Sequence, residues 1–282
     1  MNINMEQYIP SERHKKNFST LLYDSIYLLY LACDLNFDDF KDDIIHTCAR
    51  SSALSSLLIA ECAANCLIHS LELSASLYIE IEKLPTLAKF EFFLSQRFPK
   101  KGFDYGFKQV AAIKELLKLR NEYVHPKVER EKYEKIGEGT WAADYGNTKI
   151  LKIPYDIDIW QIKHSIFALK SVMDFLNLFL LDWCKMETSE IINILLIDEK
   201  VDVKGDWVAV DGIGSLDRAM HKWNLNFDFI GKKLSPKPES YANSETITLV
   251  VGHHDDEILS SPDINSSIQN LLSSETNPKE NG

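Results

Sequence analysis

The chain is short of three things that would narrow its function at once: paired cysteines, an excess of basic residues, and an uncharged apolar run long enough to cross a bilayer. Its five cysteines, Cys33, Cys48, Cys62, Cys66 and Cys184, are odd in number and scattered, with no CxxC pair. That argues against a disulfide scaffold and a cysteine-knuckle metal site, and a reducing, cytoplasmic setting fits best. Lys plus Arg total 31 against 42 for Asp plus Glu, a net charge of −11. Indiscriminate, charge-driven binding to nucleic acid or acidic lipid is therefore disfavoured, although a local basic cleft is not. Of the apolar stretches, 21–35 is too short for a span and holds Asp24, and 166–184 carries Lys170, Asp174 and Asp182. Both read as core helices, so no membrane partner is expected. The opening residues through Arg13, His14, Lys15 and Lys16 are polar, and no apolar stretch with a small-residue cleavage site follows, so no secretory leader is expected.

What is present is ample core material, with 45% hydrophobic and 11% aromatic residues in 282. That suits one large domain with an appendage. In the first helix, over 17–35, Leu21, Leu22, Ile26, Leu29 and Tyr30 recur at helical spacing. Residues 37–78 contain neither Gly nor Pro; this predicts a short helix and then a long one beginning near Ser51. An amphipathic piece follows over 86–93, then a helix over 108–125 that stops against Pro126, because proline disfavours α geometry in the residue before it. Gly137, Gly139 and Gly146, with the alternation of 149–153, predict a β-hairpin insert over 134–154. A last long helix is expected over 159–184. The fold class is thus mainly α, an up-and-down helical bundle over 1–185 with a hairpin insert. Short apolar runs at 191–197, 207–210 and 247–251, with an amphipathic helix over 215–224, predict a small α+β extension over 186–233. Residues 234–282 read as a flexible, acidic, Ser/Pro/Asn-rich tail.

The most informative segment is 116–127. On a helix the neighbours of Arg120 are Leu116, Leu117, Tyr123 and Val124, all apolar. A guanidinium in such a stripe needs a carboxylate, an anionic ligand or a partner subunit. The long second helix offers the carboxylate: Glu61, Asn65 and His69 fall at steps of four, a polar stripe on an element otherwise made of Leu, Ile, Ala, Cys and Ser. Glu61 is the expected partner of Arg120. His125 lies five residues after Arg120, roughly 140° round a continuing helix. Release of the helix before Pro126, or a two-fold axis joining two copies, would bring the imidazole and guanidinium to one cleft.

A Glu-xxx-Asn pair on one helix followed by Arg-Asn-xxx-His-Pro at the end of the next long helix resembles the HEPN superfamily of helical-bundle proteins. The resemblance covers about 17–184. It implies a metal-independent endoribonuclease with an Arg-x(4–6)-His motif at a homodimer interface, the matching residues being Arg120, Asn121 and His125, with Glu61 and Asn65 as the supporting polar pair. RNA would be the substrate, no cofactor or metal would be needed, and a role in RNA restriction or defence follows from the resemblance alone. The chemistry suits those residue types. The 2′-OH of RNA is its own nucleophile, so the site need only move protons, which an imidazole does near neutrality, and hold charge on the phosphorane, which a guanidinium fork does. The competing reading is a non-catalytic helical interaction or nucleotide/anion-binding module.

Other candidates are weaker. His253, His254, Asp255, Asp256 and Glu257 offer metal-ligating atoms, but a solvated turn is the expected reading. Cys62 and Cys66 read as buried small hydrophobes. Gly137-Glu138-Gly139 lacks the setting of a phosphate loop. The basic groups Arg97, Lys100 and Lys101, and Lys127, Arg130 and Lys132, flank the central helix and would guide RNA or simply be solvated. A protein partner would find its place on the C-terminal extension.

Overall fold

The computed structural model describes residues 15–34, 41–125, 133–138, 140–143, 146–197 and 214–232. The tail over 234–282, the runs at 207–210 and 247–251, the His253–Glu257 cluster and the basic group Lys127, Arg130 and Lys132 lie outside them. The molecule is mainly helical. In chain order the helices are α1 (Phe18–Asp34), α2 (Lys41–His69), α3 (Ala75–Glu82), α4 (Thr86–Arg97) and α5 (Lys108–Val124). After a short antiparallel pair, β1 (Tyr133–Gly137) with β2 (Thr140–Ala143), come α6 (Ile162–Leu176), α7 (Thr188–Leu195) and α8 (Gly214–Trp223).

The centre is α2, which packs against α1, α4, α5 and α6. The expected break near Ser51 does not occur: α2 is one helix of 29 residues. Its alanines explain both its continuity and its position. Ala49, Ala53, Ala60, Ala63 and Ala64 are fully or almost fully buried, which lets neighbouring helices approach closely while keeping helix propensity high. Its serines are not surface residues either. Ser52 donates from Oγ to the Ser25 carbonyl of α1 at 2.7 Å, and Ser165 of α6 donates to the Ala49 carbonyl at 2.6 Å. These two buried hydroxyls thus find acceptors on an adjoining helix, while Ser56 bonds back to the Ser52 carbonyl of α2 itself.

An aromatic cluster fixes α4 and α6 to the connection before α5. Phe90 sits edge-on to Phe175 and Phe179, with ring centroids 4.9 and 4.7 Å away, and Phe103 and Phe107 pack against Trp183. Burying Phe90, Phe175 and Phe179, each fully enclosed, contributes about 1.5–3 kcal/mol per ring. The last long helix departs from expectation in geometry: α6 turns into a π-helix over Asn177–Trp183. Asn177 in that segment donates to the Asn226 carbonyl and accepts from the Phe229 amide, tying the end of the described chain to α6.

Ile191, read as part of a short apolar run in an α+β extension, belongs instead to α7, where Ile191 and Leu195 are one helical turn apart and fully buried. Four-residue spacing of buried groups is the helical signature that a short apolar run conceals. With Leu216, Ala219 and Met220 of α8, they join the same hydrophobic core as α1 and α2. Two helices, 42–69 and 162–183, are long and apolar enough to cross a membrane by length and composition, yet 61% and 56% of their apolar windows are buried inside the fold.

Candidate functional site

The site is assembled from three helices. Glu61 and Asn65 occupy successive turns of α2, Arg120 and Asn121 the penultimate turn of α5, and Lys89 the second turn of α4. Together with Leu84, Pro85, Thr86 and Leu117 they line an open groove of about 300 Å³. Arg120 donates from Nη2 to Glu61 Oε2 at 3.0 Å, the pairing that the helical spacing predicts, and from Nη1 to Asn121 Oδ1 at 3.0 Å. Its Nε is buried and has no hydrogen-bond partner. Leaving a charged donor unmatched in a shielded position is costly, so this guanidinium is not fully accounted for by the fold.

Lys89 is the residue that the sequence reading missed. It is 8% exposed, and its Nζ donates to Asn65 Oδ1 at 2.7 Å. Burial lowers its pKa below the ordinary lysine value, and the carboxylates of Glu82 and Glu61 oppose that shift. Lys89 falls between Leu87 and Phe90, so on the sequence it reads as the edge of an amphipathic helix. Its one signal is position: it stands on the apolar face of α4 with Phe93, where a lysine is out of place unless paired.

His125 stands at the end of α5. Its backbone has left helical geometry (φ −123°, ψ 63°), and its amide N–H still bonds to the Asn121 carbonyl at 3.0 Å. Its side chain is exposed and is not among the groups lining the groove. The structure therefore brings Arg120, Asn121, Glu61 and Asn65 together, and leaves the imidazole at the rim of the helix beside Tyr123 and Val124. These two were expected to enclose the guanidinium; instead they are 41% and 48% exposed. They lie past the last turn that α2 covers, so the apolar stripe runs out into solvent. His69, one turn beyond Asn65, is also absent from the lining and faces the Tyr78 ring edge-on, with centroids 6.3 Å apart.

The basic groups at 97 and 101 are not free to guide a ligand. Arg97 donates from Nε to the Cys184 carbonyl at 2.8 Å and from both terminal nitrogens to Glu190, at 2.6 and 3.0 Å. Lys101 Nζ donates to the Trp183 carbonyl at 2.8 Å. The carbonyls at the end of the π-helix lack partners in their own helix, and these cations supply them. Cys62 and Cys66 are partly exposed, not buried. Among the described residues no three His, Cys, Asp or Glu side chains are grouped so as to hold a metal ion. Searches against protein-family models, curated proteins and solved structures found no match for this chain.

Proposed function

We propose that the protein is a metal-independent endoribonuclease of HEPN type, acting through Arg120 and His125 in a site completed by a second copy of the chain. The observation that carries this reading is the Arg120 guanidinium, held by Glu61 and Asn121 and lining an open groove. A planar, always charged donor so placed suits the non-bridging oxygens of a phosphodiester. In the reaction the 2′-oxygen bonds to phosphorus and loses its proton, while the bond from phosphorus to the 5′-oxygen breaks and that oxygen gains a proton. His125 serves as the acid or base, and the second copy of the chain supplies the complementary imidazole. Asn121 orients the phosphate or the imidazole, and Glu61 and Asn65 position the cations. The products are a 2′,3′-cyclic phosphate and a 5′-hydroxyl.

In this reading the helices before Lys185 form the HEPN-like bundle and the β1–β2 pair is its hairpin insert. The dimer is supported by exposed apolar groups on both sides of the site: Leu58, three residues before Glu61, is 37% exposed, and Tyr123 and Val124 follow Arg120. The five cysteines, odd in number and scattered along the chain, support a cytoplasmic setting. A protein partner, if there is one, binds beyond Lys185. Purified protein incubated with mixed RNA in EDTA tests the proposal. Cleavage that disappears in Arg120→Ala and His125→Ala, in a protein that sediments as a dimer, is the expected result; no cleavage by a folded dimer overturns it.

A second reading is an anion-binding interaction module without catalysis. The observation favouring it is the exposed position of His125 outside the groove. It predicts nucleotide binding without strand cleavage in the same experiment.

A further inference from the structure

Around the groove three side-chain acceptors are engaged and donors of Lys89 are left over. Glu61 Oε2 and Asn121 Oδ1 accept from Arg120, and Asn65 Oδ1 accepts from Lys89. The ammonium of Lys89 has three N–H bonds and, among the described residues, one acceptor. Lys89 and Arg120 thus line one groove of about 300 Å³ whose lining carries a single carboxylate, Glu61. The start of α4 adds a smaller effect of the same sign: Pro85 caps the helix without a side-chain hydrogen bond, and Thr86 beside it lines the groove. A lysine retained at 8% exposure, hydrogen-bonded to a neutral amide while the carboxylates of Glu82 and Glu61 act on it through space, has N–H bonds left for an incoming anion.

We infer that this groove is a phosphate-binding subsite in which Lys89 donates from Nζ to a non-bridging oxygen of an RNA strand alongside Arg120, with Asn65 positioning the ammonium. The inference rests on the ribonuclease reading for its choice of ligand, since the shared chemistry, a phosphate group, also belongs to a free nucleotide. It adds to that reading a residue outside the Arg-Asn-xxx-His segment. It also explains how a chain of net charge −11 engages a polyanion, through two paired cations in one cleft and not through a basic surface.

The test is the binding of a fluorescent, uncleavable 2′-O-methyl oligoribonucleotide, followed by anisotropy across a salt series, with AMP and inorganic phosphate as competitors. Lys89→Met should raise Kd about tenfold or more, as expected for loss of a hydrogen bond to a charged group. It should also flatten the slope of log K against log salt by about 0.7, and Lys89→Arg should recover most of the affinity. Thr86→Glu is the second variant: a carboxylate at the first turn favours the helix while repelling a phosphate, so it should weaken binding without lowering the melting temperature. Wild-type affinity in both Lys89→Met and Thr86→Glu overturns the inference, as does a wild-type protein that binds neither probe. Lys89-dependent RNA binding without cleavage of unmodified RNA keeps the subsite and removes the ribonuclease. Cleavage with RNA binding unchanged in Lys89→Met does the reverse. Binding of AMP but not of the oligonucleotide overturns the assignment to RNA.

Discussion

Helix α4 has an arginine–glutamate pair near each end, and the two are shielded to a similar degree: the side chains of Arg97 and Glu190 are 30% and 35% exposed, those of Arg120 and Glu61 26% and 25%. Their construction differs. Arg97 meets Glu190 with both terminal nitrogens and closes a π-helix with Nε, so each nitrogen of the guanidinium has a partner. Arg120 meets Glu61 through one nitrogen, leans on its neighbour Asn121 with another, and leaves Nε unmatched. Burial and charge pairing do not separate the two arginines. Occupancy of the donors does: every nitrogen of Arg97 is engaged within the fold, and Nε of Arg120 is not.

The largest effect expected from this contrast is on RNA cleavage. Arg120→Ala should lower the single-turnover rate by about 10²–10³-fold, the scale for removing a donor to developing charge. His125→Ala should do so by about 10²–10⁴-fold, the scale for a general acid or base. Arg97→Ala should leave the rate of the folded protein within a factor of about two, since nothing it touches lines the groove. Equal losses in Arg97→Ala and Arg120→Ala, assayed well below both melting temperatures, would erase the distinction.

Acid presses on the scaffold without touching either arginine. Burial, aided by the charge of Lys163, holds the pKa of His164 down at about 4. Its Nδ1 accepts the Gln161 amide N–H at 3.0 Å at the start of α6, which requires the neutral ring. The folded value lies below the unfolded one near 6.5, so this contribution to stability is fully present above pH 6.5 and is lost as the pH falls towards 4. Differential scanning calorimetry should show a melting temperature several degrees lower at pH 4.5 than at pH 7, and a shallower dependence in His164→Gln. A pH profile identical in the two proteins would contradict the assignment.

Smaller again is the cost of cutting the Arg97 pair. Arg97→Ala should destabilise by about 1–2 kcal/mol, discounted for partial exposure, and lower the melting temperature by about 2–6 °C. Arg120→Ala should cost less, which calorimetry of the two variants side by side will decide. At the bottom of the scale, Lys83→Ala breaks a pair with Glu80 in which both side chains are mostly exposed. It should shift stability by less than about 0.5 kcal/mol; a larger drop would mean that exposure is a poor guide to the worth of these pairs.

Legibility in the sequence followed the same divide. Arg120 and Glu61 could be matched because a charge in an apolar stripe on one helix seeks the carboxylate of the polar stripe on another. Lys89 could not, because α4 reads as a short amphipathic piece on whose edge a lysine is ordinary, and its partner Asn65 carries no charge. Arg97 and Lys101 looked like free basic surface because their acceptors are main-chain carbonyls of Cys184 and Trp183, which carry no mark in the sequence. The helical class was visible in the absence of Gly and Pro from 37–78, but the continuity of α2 through Ser51 was not; Asp42 and Asp43 in its first turn favour the start of one long helix. The turn from α to π geometry after Leu176 begins at Asn177, whose side chain bonds to the main chain of Asn226 and Phe229, far along the sequence.

The central claim is that Arg120, not Arg97, works on a phosphate, and end-group analysis of RNA treated in EDTA with wild type, Arg97→Ala and Arg120→Ala tests it most directly. The account predicts 2′,3′-cyclic phosphate and 5′-hydroxyl ends with the first two proteins and intact RNA with the third. Intact RNA with all three, or cleavage that survives Arg120→Ala, would contradict it.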